Sequence, residues 1–336
     1  LVGSEMCIRD RNNITMDIFK KKEIIVANIK RFNANNINPN DVILCNTDEE
    51  LLKLILRQSP NYWFNNYVLT LEEFVDFFSD LFEKYNIFTT GEHHLYGSHK
   101  GYAFGDAILY VYNNYELYAY QKATVYAYTQ SHIYTHDFTK AEAHNLACVD
   151  MFDANCHTEY FDESCGYIHN GEAISNDKSS IVLIEGTLTS HNYSHIKTLP
   201  GGYKNVTAMD NCTLELHGSP CADCYNRCQV KACDMSEVTC HNNVCVESYN
   251  KSQVILNDLS SCVAHDTSII HICAAKCVKL MDLSIGYNYH DIAIQMDVSG
   301  TSYLCDLTDT FTQVQNNGTI KWEQSGKIFS NQRNLN

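Results

Sequence analysis

Hydrophobic and polar positions alternate in two distinct ways along this chain. Between about residue 17 and residue 90 the apolar positions recur at helical spacing. Asp48-Glu49-Glu50 opens a run containing Leu51, Leu52, Leu54, Ile55 and Leu56, and acidic residues in a first turn favour a helix start. Thr70 followed by Glu73 is a capping-box pair, and Phe74, Val75, Phe77, Phe78, Leu81 and Phe82 follow it as a candidate core. From Ala107 the rhythm changes to an eight-residue period. AILYVYNN, YELYAYQK, ATVYAYTQ and SHIYTHDF open a block that runs to Ser194. After the interruption HIKTLPGGY (195–203), a second block runs from Lys204 to Asp291.

Position 3 of the octad is apolar in 19 of 22 units, and position 7 is Asp or Asn in 13 of 22, so the phase is not accidental. Positions 3 and 5 alternate with 4 and 6, which predicts a short strand with 3 and 5 inward and 4 and 6 outward. Asp or Asn at position 7 suits a left-handed turn residue. A strand and a turn repeated every eight residues predict a β-solenoid. The small inward side chains predict a flat core with two octads per coil, about 50 Å long at the usual strand spacing. Sixteen-residue coils would stack like on like: Tyr110 on Tyr126, Tyr112 on Tyr128, Tyr118 on Tyr134, Cys212 on Cys228 and Cys224 on Cys240. The weakest register is Asn155 to Lys178.

The expected organisation is therefore mainly β. A helical N-terminal domain spans 12–92, solenoid blocks 93–194 and 204–291 flank the break at 195–203, and a short β cap spans 292–336. Solenoid ends expose strand edges and need covering; the helical head would serve one end and the β cap the other. Within the cap, Ser302 to Leu307 and Thr319 to Phe329 suit strands, with Asn316-Asn317-Gly318 as a hairpin turn. Residues 1–11 (LVGSEMCIRDR) resemble a translated sequencing adapter and are excluded from fold reasoning.

The octads resemble tandem repeats of the type A-T-V-x-A-Y-x-S in proteins of gut bacteria and their phages, a likeness carried by Ala123-Thr124-Val125-Tyr126-Ala127-Tyr128. The helical head leading into Thr90-Gly91-Glu92-His93 resembles the layout of the same proteins. The resemblance covers roughly 45–290. It implies a repeat architecture and brings no activity, catalytic residue or cofactor.

Composition narrows the function. A formal charge of −16, from 24 basic and 40 acidic residues, argues against a nucleic-acid partner. No apolar run is long enough for a membrane span. The stretch Ile24–Ile29 is too short for a secretory signal, which points to a cytoplasmic or virion-associated protein. Lys20, Lys21 and Lys22 suit a solvated face. No nucleotide-binding, serine-hydrolase or zinc-protease motif occurs.

Three constellations remain. Outward Tyr110, Tyr112, Tyr118, Tyr120, Tyr126, Tyr128 and Tyr134 with His136 and His144 form aromatic ladders, continued at position 6 by Phe152 and Tyr160. Such ladders could bind a glycan or protein ligand, as in bacterial or phage adhesion, or simply stabilise the sheets. Cys221-Ala-Asp-Cys224 with Cys228 and Cys240 could hold zinc, although these octad positions scatter between inside and outside, where Cys acts as a small apolar residue. Asp150, Asp153, Glu159, Asp162 and Glu163 with His157 could serve glycan hydrolysis, but short turns offer little cleft. The favoured reading is a non-enzymatic structural and binding protein. Zinc binding is the alternative, and ice binding or glycan processing follow.

Overall fold

A computed structural model describes residues 16–289, 295–299 and 301–307, and the backbone of the strands 314–316, 319–324 and 327–331. The adapter-like segment and Asn317-Gly318 lie outside the described residues. From Glu92 onward, four- and five-residue strands alternate between two parallel sheets, of fifteen and sixteen strands among the described residues. One sheet begins Ile87–Phe88, Lys100–Ala103, Glu116–Ala119; the other begins Glu92–Leu95, Ile108–Val111, Thr124–Ala127. Each coil thus contributes one strand to each sheet, giving the flat two-octad solenoid. The expected stacking is present: Tyr110 pairs with Tyr126, Tyr118 with Tyr134, and Cys224 with Cys240.

The core between the sheets is thin because its side chains are small. Positions 3 and 5 point inward, as in Leu109 and Val111 or Val254 and Leu256. Position 1 is also inward, which the alternation of 3 and 5 does not reveal. It holds Ala107, Ala123, Ser131, Cys228, Ser252 and Ser268, all buried. At several Ser and Cys of this position the side chain donates back to the carbonyl three residues earlier: Ser252 Oγ to Tyr249 O at 2.8 Å, Ser268 Oγ to His265 O at 2.7 Å, Cys228 Sγ to Tyr225 O at 3.1 Å. A buried hydroxyl is thereby satisfied and the turn is closed by the same bond.

Position 7 has two tasks. Asn113, Asp137, Asn226, Asn250, Asp258 and Asp266 all take positive φ between 54° and 65°, a conformation these side chains tolerate. The side chain also accepts from the backbone N–H of the equivalent residue one coil earlier. Asp258 receives Asn242 N at 3.0 Å, Asp266 receives Asn250 N at 3.0 Å, and Asp153 receives Asp137 N at 2.9 Å. The turns are therefore laced coil to coil.

Coil length departs from sixteen most often between Lys140 and Asn205; elsewhere Ile87 to Tyr102 spans fifteen, and Cys277 to Gln295, Ile285 to Tyr303 and Met296 to Val314 each span eighteen. Lys140 pairs with His157, seventeen residues on. His157 pairs with Glu172 and Ser180 with His195, fifteen on, and Thr187 pairs with Asn205, eighteen on. The break at 195–203 shrinks accordingly: His195–Thr198 is a strand, and only residues 199–203 loop out. That loop is pinned by Lys204, fully buried, whose Nζ donates to the carbonyls of Gly201 and Gly202.

The solenoid also runs past Asp291, since Gln295–Val298 and Tyr303–Asp306 pair in parallel with Cys277–Leu280 and Ile285–Asn288. Val314–Asn316 and Thr319–Gln324 belong to different sheets and do not pair with each other. The antiparallel pair is Thr319–Gln324 with Lys327–Asn331.

The head contains helices Ile18–Arg31, Pro39–Leu44, Asp48–Arg57, Pro60–Asn65, Leu71–Phe78 and Phe82–Tyr85. Thr47 caps the third, and the Thr70–Glu73 capping box is complete in both directions. Ile25 and Ile29, from the apolar stretch weighed as a signal, are buried core. Lys21 is buried, 2.8 Å from Asp48 Oδ2 and 2.7 Å from Phe77 O, and so departs from the expected solvated face, whereas Lys20 is exposed and Lys22 half-buried. The helical core extends onto the solenoid through Phe104 and Tyr120, with Tyr102 and Tyr118 packed against it. Asn65 Nδ2 reaches Asp137 Oδ1 at 2.7 Å, tying the head to the flank of the coils. Among the described residues, no helix is long and apolar enough to cross a membrane.

Candidate functional site

The two sheets divide the aromatic residues into two sets. Tyr110, Tyr112, Tyr126, Tyr128 and His144 belong to the sixteen-strand sheet; Tyr118, Tyr120, Tyr134 and His136 belong to the fifteen-strand sheet. The second set is partly lost to the head: Tyr120 is 3% exposed, and burial pushes its hydroxyl far above the ordinary tyrosine value. Lys100 lies 4.2 Å from the Tyr118 ring centroid. Only the first set stands wholly clear of the helices.

That set forms a continuous row, Tyr96–Tyr112–Tyr128–His144–Phe161, with centroid separations of 4.8, 5.1, 5.1 and 4.9 Å and interplanar angles of 12° or less. Phe161, rather than the expected Tyr160, occupies the fifth place. The seventeen-residue coil shifts the register by one and turns Tyr160 fully inward. Because the rings stack on one another, their faces are largely taken and their edges face solvent. Phe161 ends the row, for Asn176 follows it in the next coil.

Beside this row the turns enclose a cleft of about 880 Å³. Its walls carry Thr129, Gln130, Asn145, Leu146, Glu163 and Lys178 among others, a set dominated by amides, carboxylates and a hydroxyl. Two of the sequence's carboxylate candidates, Asp162 and Glu163, lie here. The others do not join them. Asp150 contacts His132 at 3.1 Å, Asp153 contacts His136 at 3.3 Å, and Glu159 contacts His157 at 3.6 Å. The five acids are therefore divided among four places, with Asp162 and Glu163 alone sharing the cleft.

The cysteine cluster also separates. Cys221 is exposed, whereas Cys224, Cys228 and Cys240 are fully buried in the core. Burial raises the Cys224 and Cys240 thiols well above their ordinary value. Among the described residues, Cys221, Cys224, Cys228 and Cys240 are not brought together as a group that could hold a metal ion.

A different group is assembled that sequence spacing did not expose. His132, Cys148 and Asp150 bring ligand atoms within 4.8 Å of one another. Its origin lies in the same register shift. Tyr160 points into a core otherwise filled by small residues, and its hydroxyl donates to Val149 O at 2.7 Å. Gly166 makes room: an added Cβ there would lie 2.6 Å from Tyr160 Oη. Val149 O being taken, Tyr167 N donates instead to Asp150 Oδ1 at 3.1 Å. Asp150 Oδ2 is left facing His132. A hydrogen bond to Asp150 raises the His132 imidazole above its ordinary value.

Compared with known proteins, the chain matches no family model, no curated protein and no solved structure.

Proposed function

We propose that this protein is a non-enzymatic β-solenoid that binds a glycan in the cleft along residues 113–178, with the remaining coils acting as a rigid spacer. The observation that carries the reading is the pairing of a polar cleft with the uncovered aromatic row beside it. A few placed polar groups fix orientation, and aromatic carbon supplies contact area. A protein partner would want a buried apolar anchor, and Leu146 is the one apolar side chain of the cleft wall. The turn residues that lace the coils keep these groups at fixed spacing without help from a ligand.

A glycan array tests the reading. The native chain should bind a limited set of glycans. The variant Gln130→Ala/Glu163→Gln/Lys178→Ala, which spares every stacked ring, should lose at least tenfold in affinity. Binding unchanged in the triple variant, or capture of protein ligands without any glycan, would refute the proposal.

A further inference from the structure

We infer a second, independent site: a thiophilic divalent-cation centre, of the kind zinc occupies, on the outer face of the fifteen-strand sheet. Its ligands are His132 Nε2, Cys148 Sγ and Asp150 Oδ2, with Cys165 Sγ as the fourth donor.

The sheet builds this group by register. His132, Cys148 and Cys165 are the first residues of three successive parallel strands, and each pairs with the next, His132 with Cys148 and Cys148 with Cys165. Their side chains therefore leave the sheet as one column at strand spacing, about 4.8 Å. Asp150 lies two residues beyond Cys148 and so emerges on the same face. The first three ligand atoms already converge within 4.8 Å, and strand register sets Cys165 directly beside Cys148 on the same face. Four donors around a tetrahedral zinc ion would sit at roughly 2.0–2.3 Å each.

The chemistry of the donor set selects the ion. Two sulfurs, an imidazole and one carboxylate suit zinc and disfavour calcium and magnesium, which want oxygen alone. Binding would displace both thiol protons to solvent. The surroundings are already arranged: Tyr167 N holds Asp150 Oδ1, fixing the carboxylate, and the His132 ring stacks on Tyr134 at 4.5 Å. Supports of this kind are what orient ligands in metal sites. The side chain of His132 is 40% exposed and that of Asp150 13%, so the group is reached from solvent on the His132 side. The position also matters. The column is formed where the coil lengthens to seventeen residues and the strand Cys165–Ile168 pairs with Cys148–Met151 at its two ends. In the sixteen-residue coils no group of this kind occurs among the described residues.

The test uses the full chain, reduced, dialysed against zinc and then freed of loose metal. About one zinc per chain is expected in the native protein and in Cys224→Ser/Cys240→Ser. Cys148→Ser/Cys165→Ser and His132→Ala should each bind at least tenfold more weakly. Cobalt added to the native protein should give a thiolate-to-metal charge-transfer band, absent from the Cys148→Ser/Cys165→Ser variant. Because all four side chains face outward, these variants should keep the native unfolding midpoint. No zinc and no cobalt band in the native protein would overturn the inference, as would zinc retained at native affinity by the Cys148/Cys165 variant.

Discussion

The coils from Thr213 to Asn288 and those from Asp153 to Tyr203 are made of the same eight-residue unit but obey it differently. In the first region every coil is sixteen residues long, and the inward positions are almost all Ala, Val, Leu, Ile, Ser or Cys, with Pro220, Gly286 and Asn288 the departures. In the second, coils of seventeen, fifteen and eighteen residues follow one another. The regular region uses its side chains on itself: turn acids accept the backbone of the coil before, and position-1 hydroxyls close the turns. The irregular region frees groups from those tasks. Tyr160 displaces a ladder bond at Val149 O, Asp150 is turned toward His132, and the polar cleft opens along the turns that include Asp162 and Asp177. Between Lys140 and Asn205, departures from the repeat lie beside both candidate sites.

One glycine in each region breaks or sharpens that comparison most strongly. Gly166→Ala would thrust a methyl against Val149 O and the Tyr160 ring, neither of which can retreat. It should cost about 3 kcal/mol, read from the urea midpoint. Gly286→Ala occupies an ordinary inward position and meets chiefly the mobile tip of Leu280. It should stay within about 1 kcal/mol of native, since replacing Gly also restricts the unfolded chain. Equal costs at the two sites would remove the distinction between the regions.

The inter-coil lacing comes next in size. Asp258→Ala loses the acceptor for Asn242 N and places Ala at φ 59°. A destabilisation of about 2 kcal/mol is expected. Asp258→Gly relieves the backbone and should recover roughly half. No recovery with glycine would mean that the hydrogen bond alone sets the cost.

The smallest effect is one of pH. The Asp153 carboxyl is held below the usual range first by its hydrogen bond with His136 and then by Asp137 N–H. A depressed folded value contributes stability that is full above the unfolded carboxylate value, near 3.9, and is lost as pH falls through the folded value. The native chain should therefore exceed Asp153→Asn by under about 1 kcal/mol near neutrality, with the gap closing below about pH 4. A gap that persists in acid would exclude this cause.

Much of the fold was legible in the sequence because the octad imposes contrast. Apolar residues at positions 3 and 5 against polar ones at 4 and 6 fix the strand. Asp and Asn at 7 fix the turn, and like residues sixteen apart fix the coil. Legibility fails where that contrast disappears. Between Asn155 and Ser194 the inward residues include Thr158, Ser164, Ser175, Ser179, Ser190 and Ser194. Polar residues inside and outside cannot phase a two-residue period. Tyr160 thus reads as outward, and His195–Thr198 reads as part of a break. The candidate ligands failed for a second reason. The CxxC spacing at Cys221 invites a metal reading, yet in a strand it sends its cysteines to opposite faces. His132, Cys148 and Asp150 meet only through strand register, and no local motif announces them. The burial of Tyr120 depends on where the helical head docks, which the octads do not encode.

A glycan array run on three proteins tests the central claim most directly, namely that ligand recognition resides in the cleft along residues 113–178 and the coils from Thr213 to Asn288 are spacer. They are the native chain, the triple cleft variant, and a chain lacking residues 237–252, one regular coil. The account predicts that the shortened chain folds and keeps the native binding profile while the cleft variant loses it. Loss of binding in the folded, shortened chain with retention in the cleft variant would contradict it.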